Sequence, residues 1–178
     1  MTGLYTPPST QGSLEFPTSG GGINWGGAAF DPVHQILYAN TSYAINIIKL
    51  MPCADADGFE PPSGTDFGPQ IGAPFAVSRR VAMSRLGGIC HKPPWGALVA
   101  ADLKSGKILC RSNVGTTEDR APLGLAFKWG MPLVNGVAIT AGGLVFTGAM
   151  DAYLRAFDAE SGESYGRAGC RYRGSPIP

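Results

Sequence analysis

Charged residues are scarce in this chain of 178 residues: they make up 15% of it, and the net charge is only +1. A typical soluble domain has about 25% charged residues. A chain of this kind lacks the basic face that nucleic-acid backbones require, so we expect no nucleic-acid partner. Disorder is also excluded, because 44% of the residues are hydrophobic and 10% are aromatic, whereas disordered segments have few aromatics and a high net charge.

Cysteine is rare as well, and no two of the four cysteines are closer than 20 residues. This spacing excludes the Cys-x-x-Cys signature of zinc and redox sites. The first residues have no basic segment followed by an apolar one, so we expect no signal peptide. Residues 130–150 are uncharged over a membrane-spanning length, but they contain Pro132 and five glycines. We therefore interpret them as two buried strands joined by a turn rather than as a spanning helix.

Glycine and proline are in excess, with 26 Gly and 15 Pro, about twice their ordinary usage. Both residues break helices, so long helices are not expected and the chain is predicted to be an all-β protein rich in turns. The loop-like composition of residues 51–75 and 76–95 predicts irregular structure there. Strands are predicted at 24–30, 36–40, 44–50, 97–102, 107–111, 137–140, 144–147 and 153–158.

An internal repeat supports this interpretation. The sequence Asp-x-x-Ser-Gly occurs at residues 102–106 and again 56 residues later, at 158–162, each time between two predicted strands. The aspartate can accept hydrogen bonds from turn N–H groups, and the glycine supplies a positive φ. A weaker copy without the glycine begins at Asp31. Repeats of this length with about four short strands are typical of β-propeller blades, so the chain holds about three blades.

Propellers close with about four to eight blades, so three blades predict an incomplete ring. Open sheet edges can pair with other chains, and self-association through them is therefore one expectation.

Several segments in a fixed order also resemble one known family. They are YTPP (5–8), GGINWGG (21–27), DP (31–32) with LYANT (37–41), GAPFAV (72–77), CHKPPWG (90–96), GTTED (115–119), APLG (121–124), GGLVFTG (142–148) and DAYLRAF (151–157). The set resembles the C-terminal part of the membrane-bound dehydrogenases that depend on pyrroloquinoline quinone (PQQ). The glucose dehydrogenases are most similar, and the quinate/shikimate and polyol dehydrogenases are close to them.

The resemblance implies part of an eight-bladed β-propeller, with residues 1–163 as late blades. It implies an intact enzyme on the periplasmic side of the inner membrane that oxidises an aldose such as glucose to the lactone and passes electrons to ubiquinone. PQQ is the implied cofactor, with Mg²⁺ or Ca²⁺ beside it. The family's catalytic base, its lysine and its metal ligands lie upstream of the matched region, so no catalytic or metal residue is assigned here. The chain alone is expected to be inactive; a quinate, shikimate or polyol dehydrogenase and a non-catalytic propeller remnant remain alternatives.

What the resemblance transfers to this chain is the rim of the cofactor site. Asn24 and Trp25 match an Asn-Trp pair near the quinone, with a strand start and a packed Trp as the alternative. Asp151 matches an aspartate near the quinone and its lysine, with an ordinary turn aspartate as the alternative. Asn40, near the end of a predicted strand, is a third candidate for cofactor binding.

Two features depart from the family. Cys110 stands where the family has a Trp that packs between blades. Residues 164–178 lack the family's last blade and carry several arginines. We predict an irregular basic tail here, of the kind that a truncated or frameshifted gene would encode.

Overall fold

The computed structural model describes residues 3–84, 88–119 and 127–169, and its regular structure is almost entirely antiparallel sheet, which confirms the all-β prediction. The chain divides into two compact units, the first formed by Met1–Ser19 with Ala44–His91 and the second by Gly20–Tyr43 with Lys92–Pro178. The elements are β1 (Ser13–Glu15), β2 (Ala28–Asp31), β3 (Ile36–Ser42), β4 (Asn46–Pro52), α1 (Cys53–Ala56), β5 (Thr65–Gly68), β6 (Phe75–Val81), β7 (Gly96–Asp102), β8 (Lys107–Asn113), β9 (Val137–Ile139), β10 (Leu144–Gly148), β11 (Tyr153–Asp158) and β12 (Ser164–Gly169).

Unit 1 contains one four-stranded sheet, sheet I, in the order β1-β4-β6-β5. Two of its strands correct the prediction of irregular structure, because β5 lies within residues 51–75 and β6 lies almost wholly within residues 76–95. The physical reason is backbone pairing, because β6 pairs along its whole length with β4, from Asn46↔Val81 to Pro52↔Phe75, and β5 pairs with β6. Asp66 of β5 is the register partner of Arg79 of β6, and the two side chains form an ion pair. Such a pair stabilises the two adjacent strands. Glycine and proline residues flank these strands and make them difficult to recognise in the sequence.

Unit 2 contains two four-stranded sheets: sheet II, in the order β2-β3-β7-β8, and sheet III, in the order β9-β10-β11-β12. Sheet II is not built from consecutive strands. Its central strands β3 and β7 are paired from Ile36↔Asp102 to Ser42↔Gly96, although unit 1 segments lie between them in the chain. The predicted strand 24–30 is shorter than expected, since β2 starts at Ala28.

The Asp-x-x-Ser-Gly repeat occupies equivalent positions in the two sheets of unit 2. It joins the third and fourth strands of each, and the N–H of the glycine bonds the aspartate carbonyl at 2.8 Å for Gly106 and 3.0 Å for Gly162. Both glycines have a positive φ. The weaker copy at Asp31 lies instead between β2 and β3 of sheet II, so it does not mark a further blade.

The main apolar core lies between sheets II and III. Tyr38, which is 2% exposed, donates a hydrogen bond from its hydroxyl to the Ala159 carbonyl at 3.0 Å. Burial raises the pKa of this hydroxyl, so it remains a donor. The members of the core are Tyr38, Leu98, Ala100 and Val114 together with Leu133, Val145, Phe157 and Ala159. This core unites two repeats into one unit.

A second contact brings backbone directly against backbone. An added Cβ at Gly96 would lie 1.9 Å from the Met131 carbonyl oxygen, and one at Gly130 would lie 2.2 Å from the Gly96 carbonyl oxygen. The N–H of Met131 donates to the Val114 carbonyl at 2.8 Å across the same contact. Only glycine fits at Gly96, because real Cβ atoms do not approach other atoms this closely.

Two predictions about the last third of the chain have different outcomes. Residues 130–150 contain β9 and β10 joined by a turn, as predicted, but β9 is only partly buried. Residues 164–169, predicted to start an irregular tail, form β12 instead, because β11 offers a free edge along which they pair from Phe157↔Ser164 to Tyr153↔Gly169. Residues 170–178 lie outside the described residues. Within the described residues, no helix has the length and apolarity needed to cross a membrane.

The close contact at Gly96 generates a first prediction. Gly96→Ala should lower the free energy of unfolding by about 3 kcal/mol, because its methyl group would overlap the Met131 carbonyl and force the backbone to move. Urea unfolding followed by circular dichroism measures the change. Gly166→Ala is the matched control, since an added Cβ there has nothing within 4 Å. Equal stability of the two variants would contradict the contact.

The turn at Asp31 generates a second prediction. Gln35 has a φ of 62° and donates its N–H to the Asp31 carbonyl, as Gly106 does in the matching turn. Gln35→Gly should therefore stabilise the chain by about 1 kcal/mol, because a side chain is strained in this region of backbone conformation. Gly106→Ala should change stability by a similar amount in the opposite direction. Thermal unfolding of the two variants tests both signs together.

Candidate functional site

The four residues proposed for the cofactor rim lie at one end of sheets II and III. Asn24 and Trp25 precede β2, whose first residue pairs with Ala39, next to Asn40 in β3. Asp151 follows the end of β10. The end of β10 lies opposite the start of β9, and Asn40 reaches the two residues that precede β9. The topology therefore brings side chains that are far apart in sequence to a common edge of unit 2.

Asn24 and Trp25 form a tight turn rather than the start of a strand. The N–H of Gly27 donates to the Asn24 carbonyl at 2.9 Å, and the Asn24 Oδ1 accepts the Trp25 N–H at 2.6 Å. Trp25 is 85% exposed, which corrects the alternative of a packed Trp. The turn lies against the segment before β9, since an added Cβ at Gly26 would lie 2.4 Å from the Asn135 carbonyl carbon. The Trp25 side chain is therefore exposed to solvent on a turn that packs closely against the segment before β9.

Asn40 is buried, and its amide group connects the two sheets. Its Nδ2 donates to the Asn135 carbonyl at 2.8 Å and to the Thr147 Oγ1 at 2.7 Å, and it lies 3.2 Å from the Gly136 carbonyl. The Thr147 hydroxyl in turn lies 3.2 Å from the same Gly136 carbonyl. Asn40 therefore fixes the segment on which the Trp25 turn rests. Sequence reasoning did not identify Asn135 or Thr147 as site residues, although Thr147 lies within the segment GGLVFTG.

Asp151 and Arg155 form a buried bidentate ion pair, with side chains that are 2% and 7% exposed. The Arg155 Nη1 donates to Oδ1 at 2.9 Å, and Nη2 donates to Oδ2. The N–H of Thr116 also donates to Oδ2, at 2.8 Å, and the N–H of Tyr153 lies 3.4 Å from Oδ1. Both carboxylate oxygens are thus engaged inside unit 2. The spacing Asp-x-x-x-Arg is visible in the sequence but did not stand out there.

The ion pair determines the charge of Asp151. Burial alone would raise the pKa of this carboxyl, but the Arg155 guanidinium and the Thr116 N–H outweigh burial and hold the pKa below its usual value. Asp151 is therefore a fixed anion at neutral pH, and its charge is matched within the chain.

Three aromatic residues near this end pack on one another. The rings of Phe127 and Trp129 stack with centroids 4.1 Å apart, and Trp129 meets Trp95 edge-on at 5.6 Å. Trp95 is 3% exposed. These rings consolidate the loops beside β7 and contribute to packing. Among the described residues, no group of three or more His, Cys, Asp or Glu side chains could hold a metal ion.

The repeated four-stranded antiparallel sheets, with equivalent Asp-x-x-Ser-Gly turns and a core between neighbouring sheets, define a repeat protein of the β-propeller class. A sequence model of the family described as "PQQ: Glucose/ethanol/alcohol dehydrogenase, beta-propeller domain" matches residues 1–178. The chain belongs to this family of quinoprotein dehydrogenases.

Named relatives support this assignment and show what fraction of their length the chain covers. The chain is 42% identical to a probable quinate dehydrogenase (quinone) of Xanthomonas campestris pv. juglandis, over 98% of this chain and 24% of that protein. It is 39% identical to the quinate/shikimate dehydrogenase (quinone) of Acinetobacter baylyi, over 93% and 22%. It is 36% identical to the quinoprotein glucose dehydrogenase of Escherichia coli, over 90% and 22%. The chain therefore spans about a quarter of the length of these relatives.

Solved structures support the fold. A europium-containing methanol dehydrogenase aligns with a TM-score of 0.54 at 22% identity, covering 90% of this chain and 23% of that one. The quinohemoprotein alcohol dehydrogenase of Comamonas testosteroni aligns with a TM-score of 0.51 at 21% identity, covering 88% and 20%.

The buried ion pair generates a third prediction. Asp151→Asn should lower the free energy of unfolding at pH 7 by about 3–5 kcal/mol, because it leaves the buried Arg155 charge uncompensated. The stabilisation by Asp151 is present above the carboxyl's unfolded pKa of about 3.9 and is lost as the pH falls through its lower folded pKa. The gap between wild type and variant should therefore narrow in acid.

Urea unfolding at pH 7 and in steps below pH 4 measures this gap. Glu160→Gln, in an exposed turn, is the control, because it removes one negative charge as Asp151→Asn does. A gap that stays constant with pH would contradict the role of the Asp151 charge.

Proposed function

We propose that this chain forms part of a PQQ-dependent dehydrogenase and contributes late propeller blades, residues 1–163, and a segment of the cofactor rim. The proposal is supported by the match of the family to the whole chain, together with the exposed Trp25 on a hydrogen-bonded turn of unit 2. Activity of the whole enzyme requires the larger part of the protein that the relatives possess.

The chemistry of PQQ is compatible with this end of unit 2. When bound, PQQ supplies an ortho-quinone that accepts two electrons from an alcohol carbon of the substrate. A planar quinone needs an aromatic or apolar face, and its three carboxylates need N–H donors or cations. Trp25 offers an exposed indole, and the Asn24 amide nitrogen is not used in the bond within the turn. We assign direct contact with PQQ to these two residues.

Asn40 and Asp151 support the site from behind in this proposal. The Asn40 amide nitrogen and both Asp151 oxygens already have partners in unit 2. Asp151, whose two oxygens are both engaged, is a group that orients its neighbours more readily than it binds a ligand. The Asn40 Oδ1, in contrast, is buried and has no hydrogen-bond partner among the described residues. Asn40 holds the segment under the Trp25 turn, and Asp151 holds the loop at Thr116.

Two substrate classes follow from the relatives. Oxidation of an aldose such as glucose to the lactone is the expectation from the sequence resemblance. The higher identities to quinate and quinate/shikimate dehydrogenases favour a cyclic hydroxy acid as the second candidate. In either case ubiquinone is the proposed electron acceptor, the periplasmic side of the inner membrane is the proposed location, and Mg²⁺ or Ca²⁺ is the proposed metal. Self-association through open sheet edges stays a prediction.

A fourth prediction concerns cofactor binding by the chain itself. PQQ should quench tryptophan fluorescence of the 178-residue chain saturably, and Trp25→Ala should weaken binding about tenfold or more, since stacking on one aromatic ring contributes about 1–3 kcal/mol. Tyr165→Ala is the matched control, because Tyr165 is also an exposed aromatic side chain of unit 2. An unchanged affinity in Trp25→Ala would remove Trp25 from the site, and a wild-type chain that binds no PQQ would refute the proposed function.

A fifth prediction concerns turnover and substrate. The chain with PQQ and Mg²⁺ or Ca²⁺ should reduce no dye with glucose, quinate or shikimate, because the family's base and metal ligands lie outside it. Substrate choice can be tested by exchanging the matching quarter of the Escherichia coli glucose dehydrogenase for this chain. A glucose-specific chimera would favour the aldose, whereas new quinate oxidation would favour the hydroxy acid.

A further inference from the structure

The two sheets of unit 2 are equivalent strand by strand, in the orders β2-β3-β7-β8 and β9-β10-β11-β12. Each sheet has a register break at the same place, between its third and fourth strands. The N–H of Leu103, after β7, donates to the Gln35 carbonyl at 2.9 Å. The N–H of Ala159, after β11, donates in the same way to the Gly143 carbonyl at 3.0 Å. The faces of the two sheets can therefore be compared residue by residue.

The buried contact between the two sheets joins two different kinds of face. Register partners on neighbouring strands point to the same face of a sheet, so each face can be described by rows across its four strands. Sheet II contributes small side chains around one aromatic ring, in the row Ala29, Tyr38, Ala100 and Cys110. Sheet III contributes bulkier side chains, in the row Ile139, Val145, Phe157 and Ser164.

The opposite, outer faces of the same two sheets repeat both kinds of row. Sheet III has small residues around one aromatic ring on its outer face, in the row Ala138, Phe146, Ala156 and Gly166. Sheet II has bulkier side chains on its outer face, in the row Phe30, Leu37, Ala101 and Ile108. Phe30 and Ile108 are 43% and 57% exposed, and Phe146 is half-buried although its equivalent Tyr38 is almost fully buried. Each outer face therefore resembles one side of the contact that the chain already buries.

We propose that a second copy of the chain docks head to tail on unit 2, with its sheet II outer face against the sheet III outer face of the first copy. This contact repeats the packing of sheet II on sheet III, with Phe146 in the place of Tyr38 and Leu37 in the place of Val145. Burial of the exposed apolar side chains drives the association. Because the two faces differ, the interface is heterologous, and one copy can bind a neighbour on each side. The inference is independent of the proposed function, since PQQ takes no part in it.

One hydrogen bond distinguishes the two contacts. The Tyr38 hydroxyl donates to the Ala159 carbonyl in the buried contact, whereas Phe146 has no hydroxyl. The carbonyl equivalent to that of Ala159 is the Leu103 carbonyl, because the two residues occupy the same place in the repeat. The second copy is therefore held by apolar contacts at this point. The substitution Phe146→Tyr supplies a donor for the Leu103 carbonyl of the second copy.

Sedimentation velocity of the 178-residue chain over a range of concentrations tests the proposal, and wild type should associate beyond the monomer. Leu154→Glu, on the outer face of sheet III, and Ile108→Glu, on that of sheet II, should each weaken association about a hundredfold, because burying an unpaired carboxylate is costly. Both side chains are about half exposed, so the variants should fold. Leu14→Glu makes the same change at an exposed leucine of unit 1 and should associate as wild type does.

A mixture of the two charged variants identifies the heterologous geometry. Leu154→Glu keeps an intact sheet II face, and Ile108→Glu keeps an intact sheet III face. The mixture should therefore form dimers of one copy of each variant, with wild-type affinity, and these dimers should add no third copy. Pairing through strand edges, or of like face on like face, gives no such recovery.

The substitution Phe146→Tyr tests the same interface by a gain of affinity. It should tighten association about threefold to tenfold, as expected for one added hydrogen bond. It introduces no charge, so it decides the question if a charged variant does not fold, and unchanged association would then count against the proposal.

Three other results would overturn the proposal. They are a wild-type chain that stays monomeric at every concentration, association that survives Leu154→Glu, and a mixture no more associated than its components. None of them bears on PQQ binding, which is measured by fluorescence, so the failure of either proposal leaves the other standing.

Discussion

The packing of sheet II against sheet III is the contact on which the rest of unit 2 depends. Tyr38 contributes both apolar area and a buried hydrogen bond to Ala159, and Phe157 and Val145 meet it from the other sheet. Burial of such side chains stabilises by about 1.5–3 kcal/mol each, far more than the exposed ion pairs of the chain. Beside this core, Gly96 at the start of β7 lets the backbone of the loop before β9 approach closely, since an added Cβ there would lie 1.9 Å from the Met131 carbonyl oxygen.

The geometry of the candidate site follows from the contact between sheets II and III. The Trp25 turn rests on Asn135 and Gly136, which belong to the approach to β9, and Asn40 of sheet II holds the same segment from the other side. The site is therefore formed by residues from both sheets and not by either sheet alone. Asn40 therefore influences the rim through its hydrogen bonds to the neighbouring sheet. These hydrogen bonds are strengthened by the burial of Asn40, because the local dielectric is low.

Sequence reasoning reached the features that have a local cause. The turn at 158–162 follows from an aspartate acceptor and a glycine at positive φ, and both are visible in five residues. The strands β5 and β6 have no such signature, because β6 forms by pairing with β4, whose residues are far away in the sequence, and β5 forms by pairing with β6. The partner of Asp151 was missed for a related reason. An arginine four residues away indicates an ion pair only when the turn between β10 and β11 is known.

The repeat extends beyond its turns to the packing face. Leu98 and Ala100, buried against sheet III, lie 56 residues before Leu154 and Ala156, and Phe146 pairs with Ala156 as Tyr38 pairs with Ala100. Alternation along β11 directs Leu154 away from the side on which Phe157 is buried, and Leu154 is 43% exposed. Sheet III therefore presents, on its outer face, the same apolar arrangement with which sheet II binds it. The hydroxyl of Tyr38 has no counterpart in Phe146, so the bond to Ala159 belongs to the contact between sheets II and III and gives that contact a polar anchor that the outer face lacks.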